Sequence, residues 1–335
     1  MRNIFLKIFF VIPSWVFQIF IKKKPPYRGH SFDAQSQALI ALQPTIDLTK
    51  VPDNEISEIR KLIAENRIKN NLSLNTKSPV KKFDHYLDKD QSILLREYSP
   101  DLITTDKVIL FFHGGGYVLN SVETHDHTVS YMAEKLQVKI FSLEYRLSPE
   151  HKYPDSLEDG LLAYEWLQKK GYLSGLISVC GDSAGAHLAA SLVHKLVTVN
   201  SENLPGSQFL IYPMCDPECK SESYNDLAEG YLLTKKTMIW FWEKFGNSEE
   251  NKKDQVFNLL KLDTDLKMPN TIIVTAGFDP LCDDGEKYAY LLHKKGDKVK
   301  QLHYPKMFHG FASATRLKAS QIAVDDFLRE YKKIL

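Results

Sequence analysis

One short segment carries the residue types expected around a nucleophilic serine. Residues 181–185 read Gly-Asp-Ser-Ala-Gly, directly after the apolar run LISVC and directly before the helical run AGAHLAASLV. A sharp turn between a strand and a helix exposes such a serine at the helix N-terminus, and the two glycines leave room where side chains would collide. This context predicts Ser183 as a nucleophile.

A run of three glycines supplies backbone N–H groups for a developing negative charge. Residues 114–116 follow His113 and the apolar run VILFF, at the end of another predicted strand. We predict an oxyanion hole formed by the N–H groups of Gly115, Gly116 and Ala184, the first residue of the nucleophile helix. His113 is expected to brace this loop through a ring hydrogen bond rather than to catalyse.

The position of each histidine relative to the predicted strands selects the general base. His309 lies in a short loop beyond the last predicted strand, from which it can reach the nucleophile. His303 lies inside that strand, and His187 lies one helical turn after Ser183, where it should face the packing layer. We therefore predict His309 as the base.

Position relative to the predicted strands also selects the acid that orients the base. Asp279 comes directly after the strand TIIVTAGF, whereas Asp283 and Asp284 are placed to cap the helix that follows. The chain order Ser183, Asp279, His309 is the order of the catalytic triad in α/β-hydrolases. We predict these three residues as the triad.

The elements around these residues predict an α/β fold. Continuous apolar strands that alternate with helices indicate a mainly parallel sheet with helices on both faces. A hairpin of two alternating runs, VKKFDHYL and SILLREYS, adds an antiparallel edge, which makes eight strands in all. Ligand sites in such sheets lie at the carboxyl ends of the strands. The six strands after the hairpin are VILFF, VKIFSLEY, LISVCG, SQFLIYP, TIIVTAG and KVKQLHY.

A helical cap is predicted over the strand ends. Residues 26–335 read as one catalytic domain, with cap segments from about 31–75 and from 214–262. The first segment holds two short helices, capped by Asp33 and by Asp53 or Asn54. The second holds the aromatic helix TKKTMIWFWEKF. We predict that seven side chains line an apolar substrate pocket beneath the cap, with packing in the cap core as the alternative: Tyr117, Tyr231, Leu232, Leu233, Trp240, Phe241 and Trp242.

Residues 1–25 form an apolar extension. The run IFLKIFFVIPSWVFQIFI at 4–21 precedes three lysines, with no small-residue cleavage site typical of a signal peptide. Its wide apolar face predicts a helix in a membrane interface, kinked or split at Pro13, with peripheral membrane contact through residues 4–24. The alternative is packing on the protein's own cap. The expected location is the cytoplasm, including the cytoplasmic face of a membrane.

Composition excludes several classes of partner. The chain has 43 Lys and Arg against 42 Asp and Glu, so its net charge of +1 gives no field that would recruit nucleic acid. Four scattered cysteines are expected to be reduced, and Cys215 and Cys219 lack a second ligand pair for a metal. No metal and no organic cofactor is expected. The predicted partner is a small-molecule ester.

Four motifs resemble the hormone-sensitive-lipase-like esterases, a group that includes arylacetamide deacetylase and bacterial carboxylesterases. They are HGGGY at 113–117, EYRLSPEHKYP at 144–154, GDSAGAHLA at 181–189, and DPLCD at 279–283 with HGF at 309–311. Similar cap features are YPMCD at 212–216 and AEGYLLTKK at 228–236. The resemblance covers roughly residues 31–335.

This resemblance implies the α/β-hydrolase fold and the triad and oxyanion donors predicted above. It also implies that Arg146 and Glu150 hold the cap or the sheet edge. One departure is Ala186-His187, where the family commonly has Gly-Asn. Family members often pair through the last strand and the C-terminal helix, so a homodimer and a monomer both stay open.

These observations predict a serine carboxylic-ester hydrolase that acts on short to medium acyl esters through an acyl-enzyme. One alternative is an amidase, deacetylase or acyl-peptide hydrolase that uses the same triad. Others are a ligand receptor on this fold that does not catalyse, and a membrane-tethered interaction protein.

Overall fold

A single eight-stranded sheet forms the centre of the computed structural model, which describes residues 9–43, 46–90 and 92–335. The spatial strand order is β1-β2-β4-β3-β5-β6-β7-β8. This sheet confirms the predicted fold class, including the edge hairpin. The strands are β1 Val80–Tyr86, β2 Leu94–Pro100, β3 Val108–Phe112, β4 Lys139–Leu143, β5 Ile177–Asp182, β6 Ser207–Ile211, β7 Asn270–Phe278 and β8 Val299–Phe308.

The pairing of the strands brings their carboxyl ends to one edge. The strands β1 and β2 run antiparallel at one side, and the strands from β3 to β8 pair in parallel. Phe112 lies opposite Gly181, and Asp182 lies opposite Ile211. The loops after β3, β5 and β6 therefore begin side by side.

Helices cover both faces of the sheet, and the alternation of side chains along β3 shows this directly. Leu110 and Phe112 pack in one core cluster, while Ile109 and Phe111 pack in a second cluster on the other face. All five residues of β3 are buried, as expected for a strand covered on both sides. The helices are α1 Ser14–Phe20, α2 Ala34–Ala41, α3 Ile56–Lys69, α4 Val122–Leu136, α5 Asp155–Lys169, α6 Ala184–Thr198, α7 Glu222–Asp226, α8 Lys235–Phe245, α9 Cys282–Lys294 and α10 Lys318–Lys332.

Short 3₁₀ turns connect several of these elements. They are Leu48–Lys50, Asp53–Glu55, Ser174–Leu176, Asn251–Lys253, Leu259–Lys261 and Phe311–Ser313. The Asp33 carboxylate caps α2 by accepting from the Ser36 amide, as predicted. The prediction that Asp53 or Asn54 caps α3 is wrong, because the turn Asp53–Glu55 runs directly into the helix and no side chain caps it.

An arginine and a glutamate fasten α3 to the sheet side of the molecule. Arg60 pairs with Glu150 at 2.8 Å and also donates to the carbonyl oxygens of Val118 and Ser148. Arg146 instead pairs with Asp159 of α5 at 2.7 Å. Glu150 thus holds a helix of the predicted cap segment, and Arg146 holds the loop after β4.

The N-terminal segment divides at Pro13, as predicted, with helical residues before it and α1 after it. Phe9 is buried and Phe17 packs against the same core cluster. The opposite side is open, since Val11, Trp15 and Ile19 are 79%, 65% and 66% exposed. Within the described ranges, no helix is long and apolar enough to cross a membrane.

Candidate active site

The turn from β5 into α6 presents Ser183. Its backbone has φ +56° and ψ −118°, which is a strained conformation for a residue with a side chain. A Cβ on Gly181 would lie 2.3 Å from Gly185 C, and one on Gly185 would lie 2.0 Å from Phe112 O. The two glycines are therefore required by close backbone approach on both sides of the serine.

Three side chains from three strand ends form a hydrogen-bonded row. Ser183 Oγ lies 2.9 Å from His309 Nε2, and His309 Nδ1 lies 2.8 Å from Asp279 Oδ2. Asp279 is fully buried, and its other carboxylate oxygen accepts from the Leu281 amide at 2.9 Å. The geometry is that of a nucleophile, a base and an acid that fixes the imidazole tautomer.

The glycine loop after β3 lies against both the elbow and the cap. Gly115 and Gly116 have φ of +133° and +62°. A Cβ on Gly115 would lie 2.1 Å from Leu119 O, and one on Gly116 would lie 2.2 Å from the Phe241 ring, so glycine is required at both positions. Within the described part of the chain, the N–H groups of Gly115, Gly116 and Ala184 donate to no protein acceptor. These donors are available to an oxyanion.

Asp182 fixes this loop from behind the elbow. Its Oδ1 accepts from the Gly114 amide at 2.8 Å and lies 3.3 Å from His125 Nε2. Burial acts to raise the pKa of Asp182, but the charge of His125 and the hydrogen bonds oppose it and lower the pKa to about 2. Asp182 is therefore ionised at neutral pH.

The Gly114 carbonyl provides the second anchor of the loop. It accepts from His113 Nδ1 at 3.0 Å and from Asn120 Nδ2 at 2.9 Å. Burial, followed by the nearby His125, lowers the pKa of His113 to about 3. His113 is therefore neutral at physiological pH and braces the loop as predicted.

We expect Asp182→Asn to lower kcat by roughly 10- to 100-fold, less than the loss of one oxyanion donor, because it loosens the loop that aims these donors. An amide can still accept from Gly114, but it lacks the charge that pairs with His125. Steady-state kinetics on a 4-nitrophenyl ester, with thermal melting as the folding control, measure the effect. An unchanged kcat in a folded variant would show that the loop holds its position without the carboxylate.

His187, where the sequence departs from the family motif, has a structural role. Its ring is fully buried, as predicted, and bridges the Tyr117 hydroxyl and the carbonyl oxygen of Phe257, with Nε2 2.7 Å from that oxygen. Burial lowers the pKa of His187 to about 4, so the ring is neutral. It links the helix of Ser183 to the insertion after β6.

A cavity of about 950 Å³ lies beside His309, bordered by its two sequence neighbours, Phe308 and Gly310. Of the seven side chains predicted to line the substrate pocket, Leu232 lines this cavity and the other six do not. Tyr117 stacks on Phe245 with ring centroids 3.6 Å apart, and Tyr231 and Trp240 are 6% exposed. These three side chains pack in the core clusters, and Leu233 packs against the core. The cavity is built mainly by the end of α2 with the segment that follows it, by α3 with residues 70–73, and by residues 308–314.

The predicted caps of α9 have a different role. Asp283 pairs with Arg28 and accepts from the Ser223 amide, while Asp284 accepts from the hydroxyls of Ser221 and Tyr224. No side chain caps α9. The capping prediction is wrong, because both carboxylates turn toward the segment after β6 and fasten it to the helix.

One group of potential metal ligands occurs among the described residues: Cys282, Glu286 and His303. Arg28 Nη1 already lies 3.1 Å from Glu286 and 3.7 Å from Cys282 Sγ. Burial raises the pKa of the Cys282 thiol, which disfavours the thiolate that a metal would need. The four cysteines are buried and unpaired.

Sequence reasoning gave no function to Asp182, Asn120 or Arg67. Asp182 carried a signal, since it directly precedes the nucleophile and ends a buried strand. Asn120 and Arg67 carried none, because asparagine in a loop and arginine on a helix are common surface residues.

Comparisons with known proteins agree with this geometry. A family model described as "alpha/beta hydrolase fold" matches residues 109–313. The carboxylic ester hydrolase LipN of Mycobacterium tuberculosis is 31% identical over 68% of this chain and 63% of its own length, and an arylesterase of Saccharolobus solfataricus is 28% identical over 81% and 88%. The solved structure of EstFA in an Fe-lacking apo form superposes with a TM-score of 0.79 at 30% identity, covering 89% of this chain and 98% of that one.

Proposed function

The chain belongs to the α/β-hydrolase fold family, in its hormone-sensitive-lipase-like group, and from this membership we propose that it hydrolyses short to medium carboxylic esters with Ser183, His309 and Asp279. The observation that carries the proposal is the row of two hydrogen bonds, 2.9 Å and 2.8 Å long, that joins the three side chains. Relatives named as ester hydrolases and arylesterases support an ester as the substrate.

The proposed reaction has two steps. In the first, His309 takes the proton of the Ser183 hydroxyl as the oxygen attacks the ester carbonyl, and the amides of Gly115, Gly116 and Ala184 hold the oxyanion. Collapse of this intermediate releases the alcohol, which receives the proton from His309. In the second step, water gives a proton to His309 and attacks the acyl-enzyme. Collapse of this second intermediate releases the acid, and His309 returns the proton to Ser183 Oγ.

Paired esters and anilides test the reaction class. We expect turnover of 4-nitrophenyl esters with an optimum between acetate and octanoate, and much slower turnover of 4-nitroanilides with the same acyl groups, because an amine is the poorer leaving group. A burst of 4-nitrophenol would report the acyl-enzyme. Faster anilide than ester turnover would favour the amidase alternative, and no turnover of either by folded protein would contradict the proposal.

We also propose that the open side of the N-terminal segment rests in the interface of an anionic lipid bilayer. Trp15 and Ile19 lie four residues apart on one face of α1, and both are more than half exposed. Val11, before Pro13, is 79% exposed, and Phe20 is 80% exposed. Exposed lysines follow directly at 22 and 23. Exposed apolar side chains beside lysines match the acyl boundary and the anionic headgroups of such a membrane.

We expect the double variant Trp15→Glu with Ile19→Glu to lose at least about tenfold in partitioning to vesicles, because two large apolar side chains would leave the lipid. Sedimentation with phosphatidylcholine vesicles containing phosphatidylserine measures the binding. Leu173→Glu is the matched control, since Leu173 is 71% exposed but lies before β5, away from the N-terminal segment. Equal binding by the double variant and this control would contradict membrane contact.

A further inference from the structure

The cavity beside His309 carries charge of one sign. Arg67 of α3 is the only charged side chain among the described residues that line it. Most of the remaining wall is apolar, with Leu39, Leu62, Ile63 and Leu72 among its members. A ligand that fills this cavity therefore meets one fixed cation in a wall that is otherwise apolar or polar without charge.

Arg67 lacks the partners that a half-buried guanidinium normally has. Its Nη1 lies 3.3 Å from Asn120 Oδ1, and it forms no ion pair with any carboxylate in the described part of the chain. A guanidinium has five N–H donors, so four of them have no protein acceptor among the residues that the structure describes. Burial lowers the pKa of Arg67 from its ordinary value, although the charge of Asp182 opposes this. An arginine remains charged at neutral pH even so.

The free donors of Arg67 lie close to the reacting centre. The same Asn120 side chain that accepts from Arg67 donates to the Gly114 carbonyl at 2.9 Å. One amide side chain therefore separates the guanidinium from the loop that carries Gly115 and Gly116. An anion bound by Arg67 would be part of the molecule whose ester reaches Ser183.

We propose that this cavity binds esters that carry a carboxylate, and that Arg67 is the residue that recognises it. A planar guanidinium matches a carboxylate with two parallel hydrogen bonds, and a half-buried cation gains more from the pair than a fully exposed one. The apolar wall accommodates the hydrocarbon part of the same molecule. This inference names the substrate class of the proposed ester hydrolysis and rests on it.

Two isosteric pairs of esters test the proposal. Mono-4-nitrophenyl adipate against 4-nitrophenyl hexanoate places the carboxylate on the acyl side, and the acetate ester of 6-hydroxyhexanoate against hexyl acetate places it on the alcohol side. We expect the wild type to prefer the anionic member of at least one pair. In Arg67→Gln this preference in kcat/KM should fall by roughly 10- to 100-fold, mainly through KM, as expected for loss of a charge-assisted pair.

Lys69→Gln is the matched control, since it removes one positive charge from the same helix at an exposed position that does not line the cavity. It should keep the wild-type preference. Adipate should also inhibit hydrolysis of the neutral ester competitively, and less so in Arg67→Gln. If Arg67→Gln does not fold, Arg67→Lys gives the same comparison, because it keeps the charge but cannot bind a carboxylate with a planar fork.

The possible outcomes separate this inference from the proposed function. Turnover of the neutral esters without any anionic preference would overturn the role of Arg67 and leave ester hydrolysis standing. An equal loss of kcat on both members of each pair would show that Arg67 acts only through Asp182 and the glycine loop, which also overturns it. No turnover of any ester would contradict the proposed function itself.

Discussion

Replacement of Ser183 by alanine is expected to abolish ester turnover above the level that the oxyanion donors alone sustain, a loss on the order of 10⁴- to 10⁶-fold in kcat. The reason is that Ser183 is the hydroxyl held by the base His309, since Ser183 Oγ lies 2.9 Å from His309 Nε2. The alanine variant should also fail to react with a fluorophosphonate probe, because the covalent bond forms at this oxygen. Burst kinetics and mass spectrometry of the labelled protein measure both effects.

Ser191→Ala is the control for this variant. Ser191 lies on the same helix and is equally buried, but it contacts His187 rather than His309. We expect it to retain kcat and labelling. Wild-type turnover in a folded Ser183→Ala protein would assign the chemistry to another residue and would contradict the proposed mechanism.

Asp279→Asn is expected to lower kcat by about 10⁴-fold while the protein keeps its fold. The buried carboxylate accepts from His309 Nδ1 at 2.8 Å, which leaves Nε2 free to take the serine proton. An asparagine amide can instead donate to Nδ1, which would hold the proton on the wrong nitrogen. It would also remove the charge that stabilises the imidazolium. KM should change little, because Asp279 does not contact the cavity beside His309.

The neighbouring Asp283→Asn provides the comparison, because it removes one carboxylate that pairs with Arg28 rather than with the triad. Steady-state kinetics on one ester and thermal melting suffice for both variants. We expect Asp283→Asn to lose stability and to retain kcat. We expect Asp279→Asn to keep its fold and to lose kcat. Similar kcat in the two variants would mean that His309 does not depend on Asp279 for its tautomer.

Local backbone geometry explains why the sequence was sufficient to predict the elbow, the glycine loop and the sheet. The need for glycine at 181 is local, since a Cβ there would lie 2.3 Å from Gly185 C, whereas glycine at 185 is required by the approach of Phe112 O of β3, 2.0 Å from such a Cβ. Runs of buried apolar residues show the strands, and the ends of parallel strands must meet at one edge. Position after a strand was therefore enough to select Asp279 and His309, although His309 and Ser183 are 126 residues apart.

Contacts between distant side chains, in contrast, were decided only by the tertiary structure. The positions of Asp283 and Asp284 fit a capping pattern, yet both side chains accept hydrogen bonds from the segment after β6 instead. The apolar N-terminal run shows no sequence difference between Phe9, which is buried, and Trp15, which is exposed; packing on the core separates them.

The sequence by itself determined the fold class and the three residues that we propose for catalysis, because each depends on the backbone of its own segment and on strand order. The tertiary structure decided which other side chains surround these three residues. Arg67 and Asn120 are 53 residues apart and belong to no motif. Only the packing of α3 against the loop after β3 places a guanidinium, which forms no ion pair with a described carboxylate, one amide side chain away from the glycine loop. The recognition of substrate depends on such contacts, because it is set by what lines the cavity rather than by local backbone geometry.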